Sequence, residues 1–345
     1  MTSAGSESIR PAAHEGGPPG RAADRMSGPR VVALGGGHGL AASLGALRRL
    51  TDRLTAVVTV ADDGGSSGRI RRELPAIPPG DLRMALAALA GSDRADWEAL
   101  VQHRFGGSGA LAGHPVGNLI ITGLAELTGD TVRALQLTGE LLGAVGQVLP
   151  MSTVPLEIVA QVADIDEEPG VIRKIRGQVA VASTPGRVLS VAVLPENPPA
   201  CAQAVAAVRD ADYVVLGPGS WFTSVLPHLM VPDLADALLH TSAQRVVALN
   251  LAQQVGETDG FSPEKHLDVL CAHAPKLRID VVVADTAAVP DARSLAAAVQ
   301  RIGARLVLCP VAAADGTPRH DPRLLAAAYA QVFGWERAGR EWRES

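Results

Sequence analysis

Four short stretches hold the residue types that could do chemistry. In VVALGGGHGL (31–40) a β-branched run ends in Gly35, Gly36, Gly37 and Gly39, with His38 among them. A strand that ends this way and opens a helix presents backbone N–H groups and the positive end of a helix dipole to an anion. Glycine also lets a phosphate approach the main chain closely. The spacing does not complete GxGxxG, so a dinucleotide fingerprint is absent. His38 reads equally as a phosphate partner or a solvated loop residue. In TVADDGGSSGR (59–69), Asp62 and Asp63 follow a second apolar run, where an acid can accept hydrogen bonds from ribose hydroxyls. Adjacent carboxylates point apart, so a shared acid–base dyad is not expected. Gly64, Ser66 and Ser67 belong to a GGSSG segment resembling an anion-friendly backbone nest, and Arg69 follows it. Alone, the segment reads as a turn.

The third stretch, IPPGDLRMAL (77–86), places Asp81 where it can cap a helix and Arg83 in that helix's first turn. A cation there opposes the helix dipole, which hints at an anionic partner. The fourth, YVVLGPGSWFTSVLPHL (213–229), repeats the logic of the first. A strand ends in Gly217, Pro218 and Gly219, Ser220 can cap the next helix, and Thr223 and Ser224 lie in its first turns. Two glycine-rich strand-to-helix junctions on one sheet edge suggest a diphosphate or nucleotide held at a topological switch point. Asn118, in HPVGN, enters another helix, and Arg319, in RHDP, could return a guanidinium to the same edge.

The elements that must position these residues alternate. Strands are expected at 30–34, 54–60, 212–216, 245–250, 279–284 and 304–309, all short continuous apolar runs suited to a parallel sheet covered on both faces. Helices are expected at 39–50, 81–90, 95–104, 118–127, 130–142, 200–210, 221–229, 263–273, 290–302 and 321–333. Between about 148 and 195, LEIVAQVA, VIRKIRGQVAVA and RVLSVAVL read as β segments without helices between them, an antiparallel insertion. The expected fold class is α/β: a doubly wound, mostly parallel Rossmann-like sheet carrying an inserted antiparallel β segment. Residues 1–29, rich in Gly, Pro, Ser and Ala, are expected to be a disordered extension, with Met26 an alternative start. Residues 30–335 are expected to form a single domain and 336–345 a tail.

Composition narrows the function classes. The chain has 345 residues, a net charge of −5 and no basic block, which argues against a nucleic-acid surface. Lysine occurs only at Lys174, Lys265 and Lys276, so a fixed cation in a site is expected to be a guanidinium. Cys201, Cys271 and Cys309 form no CxxC, and the histidines show no ligand spacing. HExxH, GxSxG and GxxxxGK[ST] are all absent. With no apolar run long enough to span a bilayer, a cytoplasmic protein is expected. The β insertion is a candidate interface for a homo-oligomer.

Taken together, GGGHGL (35–40), TVADDGGSSGRIRRELPAIPPGDLR (59–83), GHPVGNL (113–119), GPGSWFTSVLPHLMV (217–231), GETDGFS (256–262) and RHDP (319–322) resemble the YvcK family of gluconeogenesis factors, which is related to the CofD 2-phospho-L-lactate transferases. The matches run in order over about residues 30–330. The resemblance implies a UDP-N-acetylglucosamine-binding regulator of cell-wall precursor supply and cell shape on gluconeogenic carbon sources, with a protein partner in that pathway and no required cofactor. Two positions depart from the family pattern: His38 replaces the usual Thr, and Met84 the usual Asn. An enzyme is the less favoured expectation. It would be a CofD-like transferase moving a phospholactyl group from a nucleoside diphosphate donor to a deazaflavin, with Mg²⁺ on Asp62 or Asp63.

Overall fold

A computed structural model of the chain describes residues 28–165, 171–254, 257–258 and 260–335. The expected extension and tail lie almost wholly outside the described residues. The first half runs β1 (Val31–Gly35), α1 (Gly37–Leu47), β2 (Leu54–Val58), α2 (Gly65–Glu73), α3 (Gly80–Leu89), α4 (Ala95–Gln102), α5 (Val116–Thr128), α6 (Thr131–Leu142) and β3 (Gln147–Pro150). Next come β4 (Glu157–Ala163), β5 (Ile172–Arg176), α7 (Gln178–Ala182) and β6 (Arg187–Leu194). The chain then returns through α8 (Ala202–Asp210), β7 (Tyr213–Leu216), a π-helical turn (Trp221–Val225), a 3-10 turn (Leu226–Met230), α9 (Pro232–His240) and β8 (Gln244–Ala248). It closes with α10 (Pro263–His273), β9 (Val281–Asp285), α11 (Ala292–Arg301), β10 (Arg305–Cys309) and α12 (Pro322–Val332).

Seven strands form one parallel sheet in the order β10-β9-β8-β7-β1-β2-β3. β1, β2 and β9 are buried along their whole length, which is why they read as unbroken apolar runs rather than alternating ones. The strand order reverses direction between β1 and β7, so the loops leaving those two strands diverge and open a crevice at the carboxyl edge. β4, β5 and β6 form a separate antiparallel sheet in the order β5-β4-β6.

The fold class is the expected one, and all six expected main-sheet strands are present. β3 adds a seventh, pairing in parallel with β2, so the antiparallel insertion starts after Pro150 rather than at about 148. QVAVA, expected as strand, is α7. Gly177, at φ +96°, breaks β5, and the Asp63 carboxylate then takes the Val179 N–H, which turns the chain into a helix. The expected helix at 221–229 is instead a π turn followed by a 3-10 turn. Pro227 has no N–H to give the preceding turn, and Val225 N–H reaches back five residues to Ser220 O.

Candidate functional site

The β1 and β7 loops meet in van der Waals contact. A Cβ on Gly39 would collide with the Pro218 carbonyl and stand 2.6 Å from Gly219 Cα, so only glycine lets α1 begin beside the second loop. Gly219 is held at both ends by Asn250, which accepts its N–H at 2.9 Å and donates to its carbonyl at 2.9 Å. Ser43 Oγ donates to the Gly217 carbonyl at 3.0 Å and pairs with Tyr329 Oη at 2.7 Å. Thr59, just past β2, donates to Ser224 O at 2.9 Å and so fastens the π turn to the same edge. The structure thus brings Gly35–Gly39 and Gly217–Gly219 together as the two walls of one crevice. His38 is exposed on the first turn of α1.

Two carboxylates enter this crevice from other elements. Asp81, at the start of α3, reaches the first turn of α1: a Cβ on Gly36 would stand 2.5 Å from Asp81 Oδ2 and 3.3 Å from Ser224 Oγ. Asp62 comes from the loop after β2, and a Cβ on Gly80 would meet Asp62 Oδ2 at 2.8 Å and Ser67 Oγ at 2.6 Å. Desolvation, reinforced by the Asp62 charge, pushes the Asp81 carboxyl up to about 7 against the opposing pull of the Gly37 N–H and Arg83. The Asp81 carboxyl is therefore poised to hold or release its proton near neutral pH. Asp81 is not an N-cap: α3 begins at Gly80, and the carboxyl serves the crevice instead.

A buried polar chain runs beneath. Arg83 Nε donates to Asn118 Oδ1 at 2.9 Å, Asn118 Nδ2 donates to Ser66 Oγ at 3.0 Å, and Ser66 Oγ pairs with His114 Nδ1 at 2.7 Å. Burial lowers Arg83 to about 10, with Arg104 adding to the effect and Asp81 and Asp62 opposing it. Ser67 Oγ accepts the Gly80 N–H at 3.1 Å, tying α2 to α3. The GGSSG segment is thus the first turn of α2 rather than a nest, and both serines are spent inside the framework. Arg69 donates to Ala112 O at 2.7 Å, fastening the loop that precedes α5.

Four expected residues have other duties: Ser220, Thr223, Asp63 and Arg319. The helix end at 221 already holds an anion, the protein's own: Glu257 takes the Ser220 hydroxyl at 2.5 Å and the Phe222 and Thr223 N–H groups at 3.0 Å each. Thr223 Oγ1 also pairs with Ser220 Oγ. The expected phosphate position at Ser220 is therefore filled by a buried carboxylate, which burial pushes up in pKa against these donors. Asp63 faces away from the crevice, accepting the Val179 N–H at 3.0 Å. Arg319 is exposed and pairs with Asp315 in its own loop after β10. Among the described residues no contact brings it to the β1–β7 edge.

Glu257, Asn250, Thr59 and His114 were not singled out in the sequence as site residues. Glu257 lies inside the GETDGFS segment, Thr59 inside TVADDGGSSGR and His114 inside GHPVGNL, while Asn250 lies outside all of them. Two cavities lie outside the crevice. One of about 320 Å³, lined by Asp63, Gly68, Arg71, Arg72 and Glu157, sits between α2 and the small sheet. A larger one of about 590 Å³ lies at the opposite, amino edge of β8–β10. Its guanidiniums belong to the framework: Arg245 donates to the Leu238, Leu239 and Thr241 carbonyls at the end of α9, and Arg278 pairs with Asp280.

A doubly wound parallel sheet whose glycine loops meet at the strand-order reversal defines a Rossmann-like α/β protein. The sequence agrees with that geometry: the model of 2-phospho-L-lactate transferase CofD matches residues 31–305. A Mycobacterium tuberculosis protein named "Putative gluconeogenesis factor" is 56% identical over 302 residues, covering 86% of this chain and 88% of its own. A Nostoc protein of the same name is 36% identical, covering 91% and 70%. A solved Bacillus halodurans member of the UPF0052 family is 32% identical, with a TM-score of 0.78 over 88% of this chain and 99% of its own. The chain belongs to the CofD family, among the proteins that carry the gluconeogenesis-factor name. Among the described residues no helix is long and apolar enough to cross a membrane.

Proposed function

We propose that the chain binds a nucleotide sugar, UDP-N-acetylglucosamine or a close analogue, in the β1–β7 crevice and acts as a regulator of cell-wall precursor supply rather than as a catalyst. The observation that carries the reading is the α1 N-terminus, opened by Gly36 and Gly37 and walled by Gly217–Gly219. In this reading the diphosphate lies on the N–H groups of 36 and 38, beside the Gly37 N–H that Asp81 takes. Glycine at 39 lets the second wall come close, and Asp62 accepts from ribose or sugar hydroxyls. Asp81, its carboxyl raised to near neutral pH by burial, lowers the negative charge that the diphosphate meets. Glu257, by occupying the end of the π turn, confines the diphosphate to α1. Calorimetric titration of UDP-N-acetylglucosamine tests the reading. Micromolar binding with a rise in Tm is expected; no heat and no thermal shift would overturn it.

One observation favours a second reading, a CofD-like phospholactyl transferase. Asp62 stands near enough to Asp81 for its charge to raise the Asp81 carboxyl, an arrangement a divalent cation would neutralise, whereas Asp63 is committed to α7. Mg²⁺ is held by one or two carboxylates plus water and phosphate oxygens, so this pair fits it. Bound there, Mg²⁺ would supply charge neutralisation of the donor diphosphate. Among the described residues no cluster of three or more His, Cys, Asp or Glu forms a closed cage. Incubation with a lactyl nucleoside diphosphate donor, deazaflavin acceptor and Mg²⁺ decides: product formation establishes transfer, and its absence with intact nucleotide-sugar binding leaves the binding role.

A further inference from the structure

The loop that leads into α5 is gripped by guanidiniums from three different elements. Arg69, on α2, gives an Nη2–H to the Ala112 carbonyl at 2.7 Å, and that nitrogen would stand 3.7 Å from a Cβ on Gly113. Arg104, just past α4, gives an Nη1–H to the next carbonyl, Gly113 O, at 2.9 Å. Arg83, on α3, runs its stem against Gly117, where a Cβ would meet Arg83 Cγ at 3.0 Å, and its Nε donates to Asn118. Segments far apart in sequence thus deliver their cations to residues 112–118.

Among the described residues none of the three makes an ion pair, and each side chain makes one hydrogen bond. A guanidinium offers a fork of N–H donors, so most of this capacity is unspent. That holds even for Arg83, which is only 6% exposed. Elsewhere exposed arginines do find carboxylates: Arg30 pairs with Asp212, Arg133 with Glu140 and Arg176 with Glu157. The group also repels itself, because the Arg104 charge adds to burial in lowering Arg83, against the weaker pull of Asp81 and Asp62. α5 brings further positive potential to the same place. It is 13 residues long and opens at Val116 with no acidic residue in its first turn and no capping side chain. Like charges gathered without a partner destabilise a fold unless an anion offsets them, and the planar fork matches an oxyanion.

We propose that Arg69, Arg83 and Arg104 form an oxyanion site around residues 112–118, distinct from the α1 N-terminus, that takes a phosphate or carboxylate group. The inference goes beyond the nucleotide-sugar reading. It gives the chain a second anionic ligand, held beside the crevice by arginines rather than by glycine N–H groups.

The test uses the full chain and two probes, inorganic phosphate and malonate, titrated by calorimetry at constant ionic strength in NaCl. Wild type is expected to bind in the millimolar range; phosphate alone assigns a phosphoryl ligand, and malonate alone a carboxylate. Arg104→Gln keeps a donor for Gly113 O and Arg69→Gln one for Ala112 O, and each is expected to lose about tenfold in affinity. Arg72→Gln removes an exposed cation from the same helix as Arg69 and is expected to bind within about twofold of wild type. A wild type that binds neither probe would overturn the site. Equal losses in Arg72→Gln and Arg104→Gln would overturn it too, reducing the effect to net charge. Saturating UDP-N-acetylglucosamine is expected to leave phosphate binding intact, and displacement would overturn the site's independence. Arginine-dependent phosphate binding in a chain that takes no nucleotide sugar would leave this site standing and overturn the reading of the crevice alone.

Discussion

Asp81 offers the sharpest test of the electrostatic reading. Its carboxyl titrates at about 7 in the folded chain and near 3.8 when unfolded. A raised acid binds its proton more tightly in the native state, so its stabilising contribution is complete below about pH 4. It is lost as pH rises from there to about 7, then stays constant. At 1.36 kcal/mol per pH unit the full loss is about 4 kcal/mol, a ceiling because the residue keeps partial exposure. Asp81→Asn removes the charge and keeps an acceptor for the Gly37 N–H, at the expense of a weaker hydrogen bond. A net gain of about 1–3 kcal/mol at pH 8 is expected, fading to nothing at pH 4. The wild-type curve alone would conceal this. His228, wholly buried with Nε2–H donating to Val57 O at 3.1 Å, is lowered to about 4 by burial. Its contribution is present above pH 6.5 and lost as pH falls toward 4, opposite in sign over the same window. The assay is therefore the difference between variant and wild type in urea unfolding with EDTA present, at pH 4.5, 6 and 8. A difference that does not grow with pH would refute the raised carboxyl.

The other expectations are each read by one measurement. Gly39→Ala should fail to fold or lose several kcal/mol, because its methyl meets the Pro218 carbonyl, whereas Gly123→Ala, in open space on α5, should raise stability by about 0.5–1 kcal/mol; thermal melts of both decide. Arg83→Met should cost about 2–4 kcal/mol by leaving the Asn118–Ser66 chain without its cation, and a loss below 1 kcal/mol would remove Arg83 from the framework. Glu257→Ala should cost about 2–3 kcal/mol by orphaning the Phe222 and Thr223 N–H groups; millimolar phosphate should recover part of this in the variant alone, and a lack of recovery would show that the turn does not accept outside anions. His228→Gln should flatten the acid limb between pH 6.5 and 4, with no change in slope counting against a neutral buried imidazole.

The main sheet was legible because both of its faces are covered: a fully buried strand writes itself as a run such as VVALG or VVVAD, bounded by glycine or aspartate. β3 was harder, since QVLP is four residues long and shares its apolar character with the insertion that follows. Helix α9 was missed although PDLADALLH has Pro at its start and buried Leu234, Ala237 and Leu238 at helical spacing; that signal was present and outweighed by the neighbouring turn motif. α7 could not be read locally. Two of its five residues are β-branched, and what turns the segment helical is a hydrogen bond to Asp63 from 116 positions away. The same limit governs the site. Sequence placed Gly36, Asp62, Asp81 and Gly219 at strand or helix ends, which is a local statement. That Asp81 turns from its own helix to α1, that Asp63 turns outward, and that Glu257 fills the Ser220 end are consequences of packing between distant segments.

Those consequences decide how an acidic protein can hold an anion. Three carboxylates, Asp62, Asp81 and Glu257, stand at or beside the crevice, and among the described residues the only buried guanidinium near them is Arg83. Unshielded, that balance would repel a diphosphate. Glu257 is sequestered first: a hydroxyl and two N–H groups solvate its carboxylate and keep it from facing the ligand. Asp81 is neutralised next, by taking up a proton near pH 7. What remains is Asp62 against Arg83, roughly even, so the partial positive charge at the α1 N-terminus is left to set the sign of the crevice. On this account nucleotide-sugar affinity in EDTA weakens as pH rises from 6 to 8, and Asp81→Asn abolishes that dependence while keeping the tighter, low-pH affinity. Affinity that stays constant from pH 6 to 8 in wild type would mean that the anion is held somewhere Asp81 does not reach.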